Sequence, residues 1–416
     1  MSRDMTALLP VERTADRPAR QQGLRDHNLA VVLRRIADAQ PVSRADLAAS
    51  TGLTRATVSS LVDSLVAGGL VSERAPEPRA GAGRPATGLD LAENGAAALG
   101  IEINVDYVAV CLVDLTGDVR HRSVVIEDQR RLSAAQAVAG AGELARAAVA
   151  AAALDGLPVI GAMLAVPGLV ETRTGLLRSA PNLGWHDLDV VAMLAAEPGL
   201  RSLPLGIGNE ANLAALGELA ATRPSGPTSF VYLSGEIGVG AGIVLDGELF
   251  RGTHGWGGEI GHFPIDRVGP VCTCGSQGCL EQAAGQEAIL ARAGLIAPAT
   301  TSMAGRPGLG QIYQLAEAGE PRMLEALREA GSALGLAVSG VLNIVDVDTV
   351  VLGGLYAAVA PWLVPEVERE LNNRVIAHAW HPVTVRVSSL GSDAAMLGAA
   401  GSVLRRVLDH PAQYLG

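Results

Sequence analysis

Residues 257–281 read GGEIGHFPIDRVGPVCTCGSQGCLE, a stretch that brings one histidine together with three of the chain's four cysteines. A neutral imidazole and three thiolates form a closed tetrahedral set for Zn²⁺, and the glycines allow the tight reversals that such a set requires. Cysteine clustering of this kind favours metal binding over disulfides. A closed set leaves no position for a reactive water, so the predicted Zn²⁺ is structural. The predicted ligands are His262, Cys272, Cys274 and Cys279, and the alternative is three free thiols beside an unrelated histidine.

The composition predicts two to three folded domains and excludes several enzyme classes. The chain has 416 residues, of which 49% are hydrophobic, so at about 150 residues per domain it can bury several cores. All 32 basic residues are arginine, which excludes P-loop, Schiff-base and protein-kinase lysine chemistry. We find no uninterrupted apolar run of about 18 residues and no signal-peptide pattern. A cytoplasmic protein without a membrane partner is expected.

The uneven charge distribution indicates which part of the chain contacts nucleic acid. Residues 1–88 carry 12 arginines and 9 acidic residues, whereas the rest of the chain carries 20 arginines and 34 acidic residues. DNA phosphates would repel the acidic body, so DNA contacts are expected from the basic N-terminal part. Residues 1–22 are polar, rich in arginine and without periodicity, and are expected to form a flexible arm.

The segment after this arm has the pattern of a helix-turn-helix. An amphipathic helix from His27 is followed by a second helix from Ser43, and a glycine turn precedes Thr54, which can cap a third helix. The third helix directs apolar residues inward and small polar or basic residues outward, as a DNA-reading helix does. An ordinary packed helix pair is the alternative. The predicted DNA contacts are Arg44, Thr54, Arg55, Thr57, Ser59 and Ser60.

A strand at 70–74 and a segment rich in glycine and proline then predict the wing of a winged helix. Within it, Gly83-Arg84-Pro85 presents one arginine, which would suit a narrow, A·T-rich minor groove. Arg84 is therefore a further predicted DNA contact, with a plain linker as the alternative. From residue 97 onward, strands alternate with helices, which predicts a two-lobed α/β body with a cleft.

Several ordered motifs of the body, including residues 257–281, resemble those of the ROK family of repressors, open reading frames and sugar kinases. The other motifs are Pro167-Gly168, Pro181–Trp185, Gly208–Asn212, Gly235–Gly242 and Val351–Gly354. The resemblance covers residues 89–409 and implies an actin-like, ribonuclease-H-like α/β body, to which the family's repressors add an N-terminal winged helix-turn-helix. The implied division is a head at 23–88, a first lobe at 89–207 completed by 392–409, and a second lobe at 208–391 that carries the zinc loop.

The resemblance also implies a monosaccharide site in the cleft. The matching positions are Gly168, Asn182, Asn209, Glu210, Glu259, His262 and Glu281. Carboxylates and amides suit this task because they form paired hydrogen bonds with hydroxyl groups in a dry cleft. His262 would bind Zn²⁺ through one ring nitrogen and face the sugar through the other. Without the resemblance, Asn209 could equally be a helix N-cap, and Glu259 or Glu281 a solvated acid.

The positions that bind ATP in the family's kinases are altered. Asn104 and Val105 stand where the kinases have a glycine turn, and Glu236 lies in the second phosphate loop. Glu210, similar to the xylose-repressor-like members, replaces the kinases' catalytic aspartate, and a misplacement of about 1 Å can cost about 10²-fold in rate. These departures predict that the chain is not a kinase.

The sequence therefore predicts a sugar-responsive transcriptional regulator, most simply a repressor of carbohydrate genes. It is expected to bind an inverted repeat in double-stranded operator DNA as a homodimer or a dimer of dimers, because a two-fold protein presents two recognition helices about one DNA turn apart. The alternatives are an ATP-dependent sugar kinase with a fused DNA-binding head, and a sensor that docks a partner protein.

Overall fold

The computed structural model describes residues 21–74, 87–296 and 308–415. Its helices are α1 (Gln21–Ala39), α2 (Arg44–Thr51), α3 (Arg55–Ala67), α4 (Ala134–Leu154), α5 (Val190–Ala196), α6 (Glu210–Ala221), α7 (Glu281–Ala284), α8 (Gln286–Arg292), α9 (Leu309–Glu317), α10 (Pro321–Val345), α11 (Leu355–Ala358), α12 (Ala360–Arg374) and α13 (Ala394–Asp409). Its strands are β1 (Val71–Arg74), β2 (Gly88–Leu91), β3 (Ala97–Ile103), β4 (Tyr107–Asp114), β5 (Val119–Ile126), β6 (Val159–Val166), β7 (Leu169–Val170), β8 (Leu177–Ala180), β9 (Trp185–Leu188), β10 (Leu205–Asn209), β11 (Phe230–Gly235), β12 (Val239–Leu245), β13 (Glu248–Leu249), β14 (Thr349–Gly354) and β15 (Thr384–Val387).

The N-terminal unit is a winged helix-turn-helix. The Ser43 side chain accepts a hydrogen bond from the backbone N–H of Asp46 at the start of α2, and Thr54 caps α3 in the same way. Between these helices Gly52 has φ +73°, a left-handed conformation that favours glycine. Strands β1 and β2 pair in antiparallel fashion as the wing. The predicted inward residues of α3 are all buried: Val58, Leu61, Val62 and Leu65.

Two predicted boundaries of this unit are displaced. Helix α1 begins at Gln21, inside the predicted arm, and Gly23 does not interrupt it, because each residue added to a formed helix gains a helical hydrogen bond. Strand β2 extends to Leu91, beyond the predicted end of the head at 88, because its partner in the wing ladder is Val71. Residue Arg84 lies outside the described residues.

The first lobe is a five-stranded sheet with helices on both faces. Its strand order is β10-β6-β3-β4-β5, and β10, β6 and β3 run parallel. Because side chains alternate along a strand, Leu99 and Ile101 of β3 join the core under α4, whereas Ala98 joins the core under α13. Strand β10 ends at Asn209, two residues past the predicted edge of this lobe.

Helix α4 is the one helix in the described ranges that is long and apolar enough to cross a membrane. Its N-terminus carries a capping box made by Ser133 and Gln136, and one side of the helix packs on the sheet of the first lobe. The buried side of this helix therefore belongs to the core of the first lobe.

The second lobe is built on the sheet β13-β12-β11-β14-β15. Helices α10 and α12 pack against each other, and both contribute to the core on one face of this sheet. Val231 and Leu233 of β11 meet Leu334 and Val338 of α10 in that core. The turn between β11 and β12 brings Glu236 to the cleft, and Gly354 at the end of β14 lies close to Glu236.

The head and the first lobe share one hydrophobic core. Val32 of α1 and Val407 of α13 belong to the same cluster of buried residues. Arg34 Nε lies 3.0 Å from Asp409 Oδ1, which joins α1 to the end of α13. Near the C-terminus, the Leu415 side chain packs against Gly68, where an added Cβ would collide with it. Helix α13 therefore contacts both the DNA-binding head and the body.

Candidate functional site in the interlobe cleft

The four predicted metal ligands form a compact cluster. Their ligand atoms all lie within 4.8 Å of one another. Cys272 Sγ is 3.6 Å from His262 Nδ1, and Cys274 Sγ is 3.8 Å from Cys279 Sγ. A tetrahedron with Zn–S bonds of about 2.3 Å has edges of about 3.8 Å, so these spacings fit one tetrahedral ion. The cluster could hold a metal ion, with Nδ1 as the histidine ligand atom.

Glu281 connects this cluster to the cleft. The Cys272 thiol donates a hydrogen bond to Glu281 Oε1 at 2.9 Å. The other carboxylate oxygen faces Gly238, because a Cβ added there would lie 2.8 Å from Glu281 Oε2 and 3.1 Å from Asn182 Nδ2. Two predicted sugar-contacting side chains thus converge on one backbone position beside the metal loop.

The floor of the cleft is formed where β10 leads into α6. Asn209 caps α6 by accepting a hydrogen bond from the Asn212 N–H, and its side-chain amide donates to the Gly168 carbonyl at 3.1 Å. The N-cap interpretation of Asn209 is therefore confirmed, and its contact with a sugar stays a prediction. Glu210 is the first residue of α6. Burial, together with the charges of Glu102 and Glu259, raises the pKa of Glu210 to about 8.

Glu259 lies between the floor of the cleft and the metal loop. Burial raises the pKa of its carboxyl, while the neighbouring His262 lowers it and Glu281 raises it. The structure thus places Asn209 beside Gly168, and Asn182 and Glu281 beside Gly238. Glu259 is close enough to Glu210, His262 and Glu281 for their charges to interact. Contact of these residues with a sugar remains a prediction.

The residues that the resemblance matches to the kinases' phosphate motifs pack closely against one another. Asn104 and Val105 are both 2% exposed, and the Asn104 side chain accepts a hydrogen bond from the Val105 N–H. The Asn104 amide also lies between two carboxylates, 3.3 Å from Glu102 Oε1 and 3.4 Å from Glu210 Oε2. Burial and neighbouring carboxylates raise the pKa of Glu236 well above its ordinary value. These contacts leave no bare backbone turn at this place.

Two residues of this region were not predicted from the sequence. Glu102 is 2% exposed, burial raises its pKa to about 7, and it accepts a hydrogen bond from the Tyr107 hydroxyl at 2.6 Å. The sequence does contain a signal for Glu102, because a carboxylate inside an otherwise apolar strand is rarely buried without a role. Tyr107 carries no such signal, since a tyrosine at a strand start is common.

The predicted DNA contacts occupy different environments on the head. Arg55 and Ser60 are exposed, Thr57 and Ser59 are half-buried, and the Thr54 side chain is used as the cap of α3. Arg44 is engaged inside the head: its guanidinium lies 2.7 Å from Asp63 and 2.7 Å from Glu73. Arg44 therefore joins α2 to α3 and β1, and a DNA contact would compete with these ion pairs.

Comparison with known proteins covers both parts of the chain. A family model described as ROK family matches residues 98–406, and one described as MarR family matches residues 30–82. The chain is 30% identical over 395 residues to a putative xylose repressor from Caldicellulosiruptor sp. (strain Rt8B.4), covering 92% of this chain and 97% of that protein.

Solved structures of ROK family proteins also superimpose on this chain. A ROK family transcriptional regulator, a homolog of the E. coli MLC protein, superimposes with a TM-score of 0.76 at 25% identity and covers 94% of this chain and 99% of its own. A ROK family glucokinase from Streptomyces griseus, in complex with glucose and AMPPNP, superimposes with a TM-score of 0.63 at 26% identity, covering 74% of this chain and 99% of its own. The regulator thus matches more of this chain than the kinase does.

Proposed function

The chain belongs to the ROK family, and we propose that it is a sugar-responsive DNA-binding transcriptional regulator, a repressor of carbohydrate genes that works in the cytoplasm. The observation that carries the proposal is the pairing of a DNA-binding head with a cleft lined by hydrogen-bonding side chains, joined by one helix that touches both. A full-length relative described as a putative xylose repressor supports it.

A monosaccharide is the effector that the cleft suits best. Asn182, Glu259 and Glu281 offer an amide and two carboxylates around a small space, which matches the alternating donors and acceptors of a polyhydroxylated ring. The His262 nitrogen that is not directed at the cysteines would complete this set. A structural Zn²⁺ in the His262 and cysteine cluster would hold the loop that carries these groups.

Helix contacts supply a route from the cleft to the head. Helix α6 begins at Glu210 and crosses α13 so closely that a Cβ on Gly398 would collide with the Leu213 carbonyl. Helix α13 ends at Asp409, which pairs with Arg34 of the head. A sugar that favours one position of α6 would therefore shift α13 and the head together, by its differential affinity for two states.

The operator is proposed to be an inverted repeat bound by a homodimer or a dimer of dimers. Each head would insert α3 into the major groove, with Arg55 and Ser60 on its exposed side. Arg84 would reach an adjacent, A·T-rich minor groove.

The direct experiment measures operator binding with and without sugars. A labelled DNA fragment from upstream of the gene that encodes this chain is mixed with the protein. Its fluorescence anisotropy is followed while pentoses, hexoses and their phosphates are added one at a time. We expect one sugar class to change the operator dissociation constant by about 10-fold or more. Unchanged binding across the panel, in protein that a thermal shift shows to bind one of these sugars, would contradict the proposed regulation.

An ATP-dependent sugar kinase is the second candidate, supported by the glucokinase match. Against it stand the carboxylates that fill the phosphate region and the side chains at Asn104 and Val105. Phosphate oxygens would meet acids instead of backbone N–H groups there.

A further inference from the structure

The turn between β3 and β4 carries a side-chain amide that has more acceptors than hydrogens. The Asn104 amide nitrogen has two hydrogens to donate. Three oxygens lie within reach of Nδ2: Tyr107 Oη at 3.2 Å, Glu102 Oε1 at 3.3 Å and Glu210 Oε2 at 3.4 Å. All three distances exceed the ordinary N–H···O length of about 2.9–3.0 Å, as expected where two hydrogens serve three acceptors. At any moment, therefore, one of the three contacts is incomplete.

The surroundings of Asn104 hold its amide in this orientation. The side chain is buried, and its Oδ1 accepts a hydrogen bond from the Val105 N–H at 2.6 Å, which settles which end of the amide is the oxygen. The Asn104 backbone N–H donates to the Tyr107 carbonyl across the turn. A carboxyl oxygen accepts a hydrogen bond with or without a proton on the group, so the excess of acceptors persists when Glu102 or Glu210 titrates.

Two of the acceptors are carboxyl groups with different surroundings. Glu210 is half-buried at the start of α6 and is one of the predicted sugar contacts. Glu102 is buried on β3, and its Oε1 accepts from both Tyr107 and Asn104. Its buried Oε2 has no partner within the described part of the chain. Glu102 therefore depends on these two donors, and a buried carboxyl that loses a donor is destabilised.

The Glu102 side chain faces the beginning of α13. Residues two apart on a strand lie on the same face, so Glu102 shares its face of β3 with Gly100. Gly100 lies directly against α13, because a Cβ at this position would collide with the Met396 carbonyl. Glu102 also lines a small cavity together with Ala394 and Ala395 of the first turn of α13. A change in the hydrogen bonds of Glu102 therefore acts on the first turn of this helix.

We propose that Asn104 is a positioning residue that carries the state of Glu210 to Glu102, and through Glu102 to α13 and the head. Without sugar, the amide is shared between the two carboxyls. A sugar hydroxyl that binds Glu210 draws this carboxyl away from the amide, whose hydrogen then completes the bond to Glu102. The first turn of α13 adjusts to Glu102, and α13 ends at Asp409, which lies 3.0 Å from Arg34 of the head. The proposal rests on the sugar-responsive regulation proposed above and names the hydrogen bonds that transmit it.

The test measures coupling separately from binding and folding. The operator dissociation constant of the full-length protein is measured with and without saturating sugar, and the ratio of the two values is the coupling factor. The probes are xylose, arabinose, glucose and mannose, and the variants are measured with the probe that changes wild-type operator binding most. Linkage requires that operator DNA change the sugar affinity by the same factor, so calorimetric sugar titrations of the free protein and of the operator complex check it.

Asn104→Ala removes the shared donor. The coupling factor should fall from about 10-fold in the wild type to less than about 2-fold, while the sugar affinity of the free variant and its operator affinity without sugar stay within about 3-fold. Tyr107→Phe leaves two acceptors for the two hydrogens, so it should also lower coupling, and it remains informative if Asn104→Ala folds poorly. Asn94→Ala and Tyr313→Phe are the matched controls, because both side chains form exposed hydrogen bonds outside this network.

The proposal is overturned if folded Asn104→Ala and Tyr107→Phe keep the wild-type coupling factor, or if Asn104→Ala loses coupling only in proportion to a loss of sugar binding. A different result would overturn the proposed regulation itself: no probe changes wild-type operator binding, although a thermal shift shows that one of them binds. The role of Asn104 would then fail with it. Loss of coupling in both variants with sugar binding retained supports the regulation and this role of Asn104 together.

Discussion

The two walls of the cleft contrast in how they treat polar groups. On one wall, which we call the recognition wall, Asn182 and Glu281 converge on Gly238 beside the metal cluster. On the other wall, the Asn104 amide contacts two carboxylates, and the room that remains is about 10 Å³. A protein that transfers phosphate needs both walls open to ligands. In this chain the second wall, which we call the filled wall, is occupied by the protein's own side chains, which fits the proposed sensor better than a kinase.

The largest effect is expected from breaking the metal cluster on the recognition wall. Cys274→Ser should reduce tightly bound Zn²⁺ from about one per chain to near zero, because three ligands hold the ion much more weakly than four. Sugar affinity should fall by about 10–100-fold, since the loop that carries Glu259 and Glu281 loses its support. Metal analysis by mass spectrometry and calorimetric sugar titration measure both effects.

Gln277→Ala, in the same loop but outside the ligand set, is the control for this change. It should keep its metal and its sugar affinity. Operator binding without sugar should survive in both variants, because the head packs on the first lobe and not on the metal loop. Wild-type protein that carries no metal after gentle purification would contradict the ligand assignment.

Removing a carboxylate from the recognition wall should come next in size. Glu259→Ala should weaken sugar binding by about 10–100-fold and abolish the effect of sugar on operator affinity, because a charged hydrogen bond is worth about 1.5–3 kcal/mol. Glu248→Gln, whose exposed carboxylate pairs with Arg405, serves as control. If Glu259→Ala responded to sugar at wild-type concentrations, the recognition wall would have to lie elsewhere.

On the filled wall, the expected signature is a dependence of stability on pH. Burial raises the pKa of Glu102 from an ordinary value of 4.5 to about 7, so the folded state binds this proton more tightly than the unfolded state does. The contribution of this proton to the free energy of unfolding is fully present below about pH 4.5. It is lost as the pH rises through about 7, a change of about 3 kcal/mol at most.

Glu102→Gln should therefore flatten the fall in unfolding free energy between about pH 5 and about pH 8, in buffer free of divalent ions. Denaturant unfolding at a series of pH values measures it, with Glu93→Gln as control. An unchanged pH profile in Glu102→Gln would mean that Glu102 is ionised in the folded protein, and the contrast between the walls would weaken.

Much of this fold was predictable because its elements have strong periodic signals. The helix that begins after Ser43 and the helix that Thr54 caps lie where the sequence predicts them, and the strand predicted at 70–74 is observed at 71–74. Helix α12 and the small sheet β7-β8-β9 were not predicted, because α12 contains Pro365 and the three strands are at most four residues long.

The sequence indicated candidate residues for the site, but it did not indicate which of them contact one another. Motif positions indicated which residues meet in the cleft, but spacing along the chain carries no information on contacts such as Asn209 to Gly168, or Glu102 to Tyr107. The same limit applies to Arg44, whose position in a basic helical segment suggested a DNA contact. Its partners Asp63 and Glu73 are brought close only by the packing of α2 on α3 and β1.

Two arginines of the head, Arg55 and Arg44, are expected to differ in role in a similar way. Arg55→Ala should weaken operator binding by about 1–3 kcal/mol and reduce its salt dependence, because this exposed side chain is predicted to contact DNA. Arg44→Ala should instead lower the unfolding midpoint through loss of its two ion pairs. Mobility shifts and thermal unfolding of both variants separate the two roles. Equal loss of DNA affinity at unchanged stability would show that Arg44 also contacts DNA.

The last prediction is that ATP has no effect on this protein. Mg-ATP should neither shift the unfolding midpoint beyond the effect of Mg²⁺ alone nor be hydrolysed with any sugar. A triphosphate would have to approach Glu102, Glu210 and Glu236 at a cavity of about 10 Å³. At about pH 8.5, where Glu102 and Glu210 are largely ionised, two unit charges about 4 Å apart at an effective dielectric constant of about 20 repel by about 4 kcal/mol. Lost backbone donors at Asn104 and Val105 add to that cost. Sugar-dependent ADP release is measured against Glu210→Gln, which removes the only carboxylate at the kinases' catalytic position. If the wild type released ADP well above the rate of Glu210→Gln, the filled wall would still admit a nucleotide. The chain would then have a kinase activity in addition to the proposed DNA binding of the head.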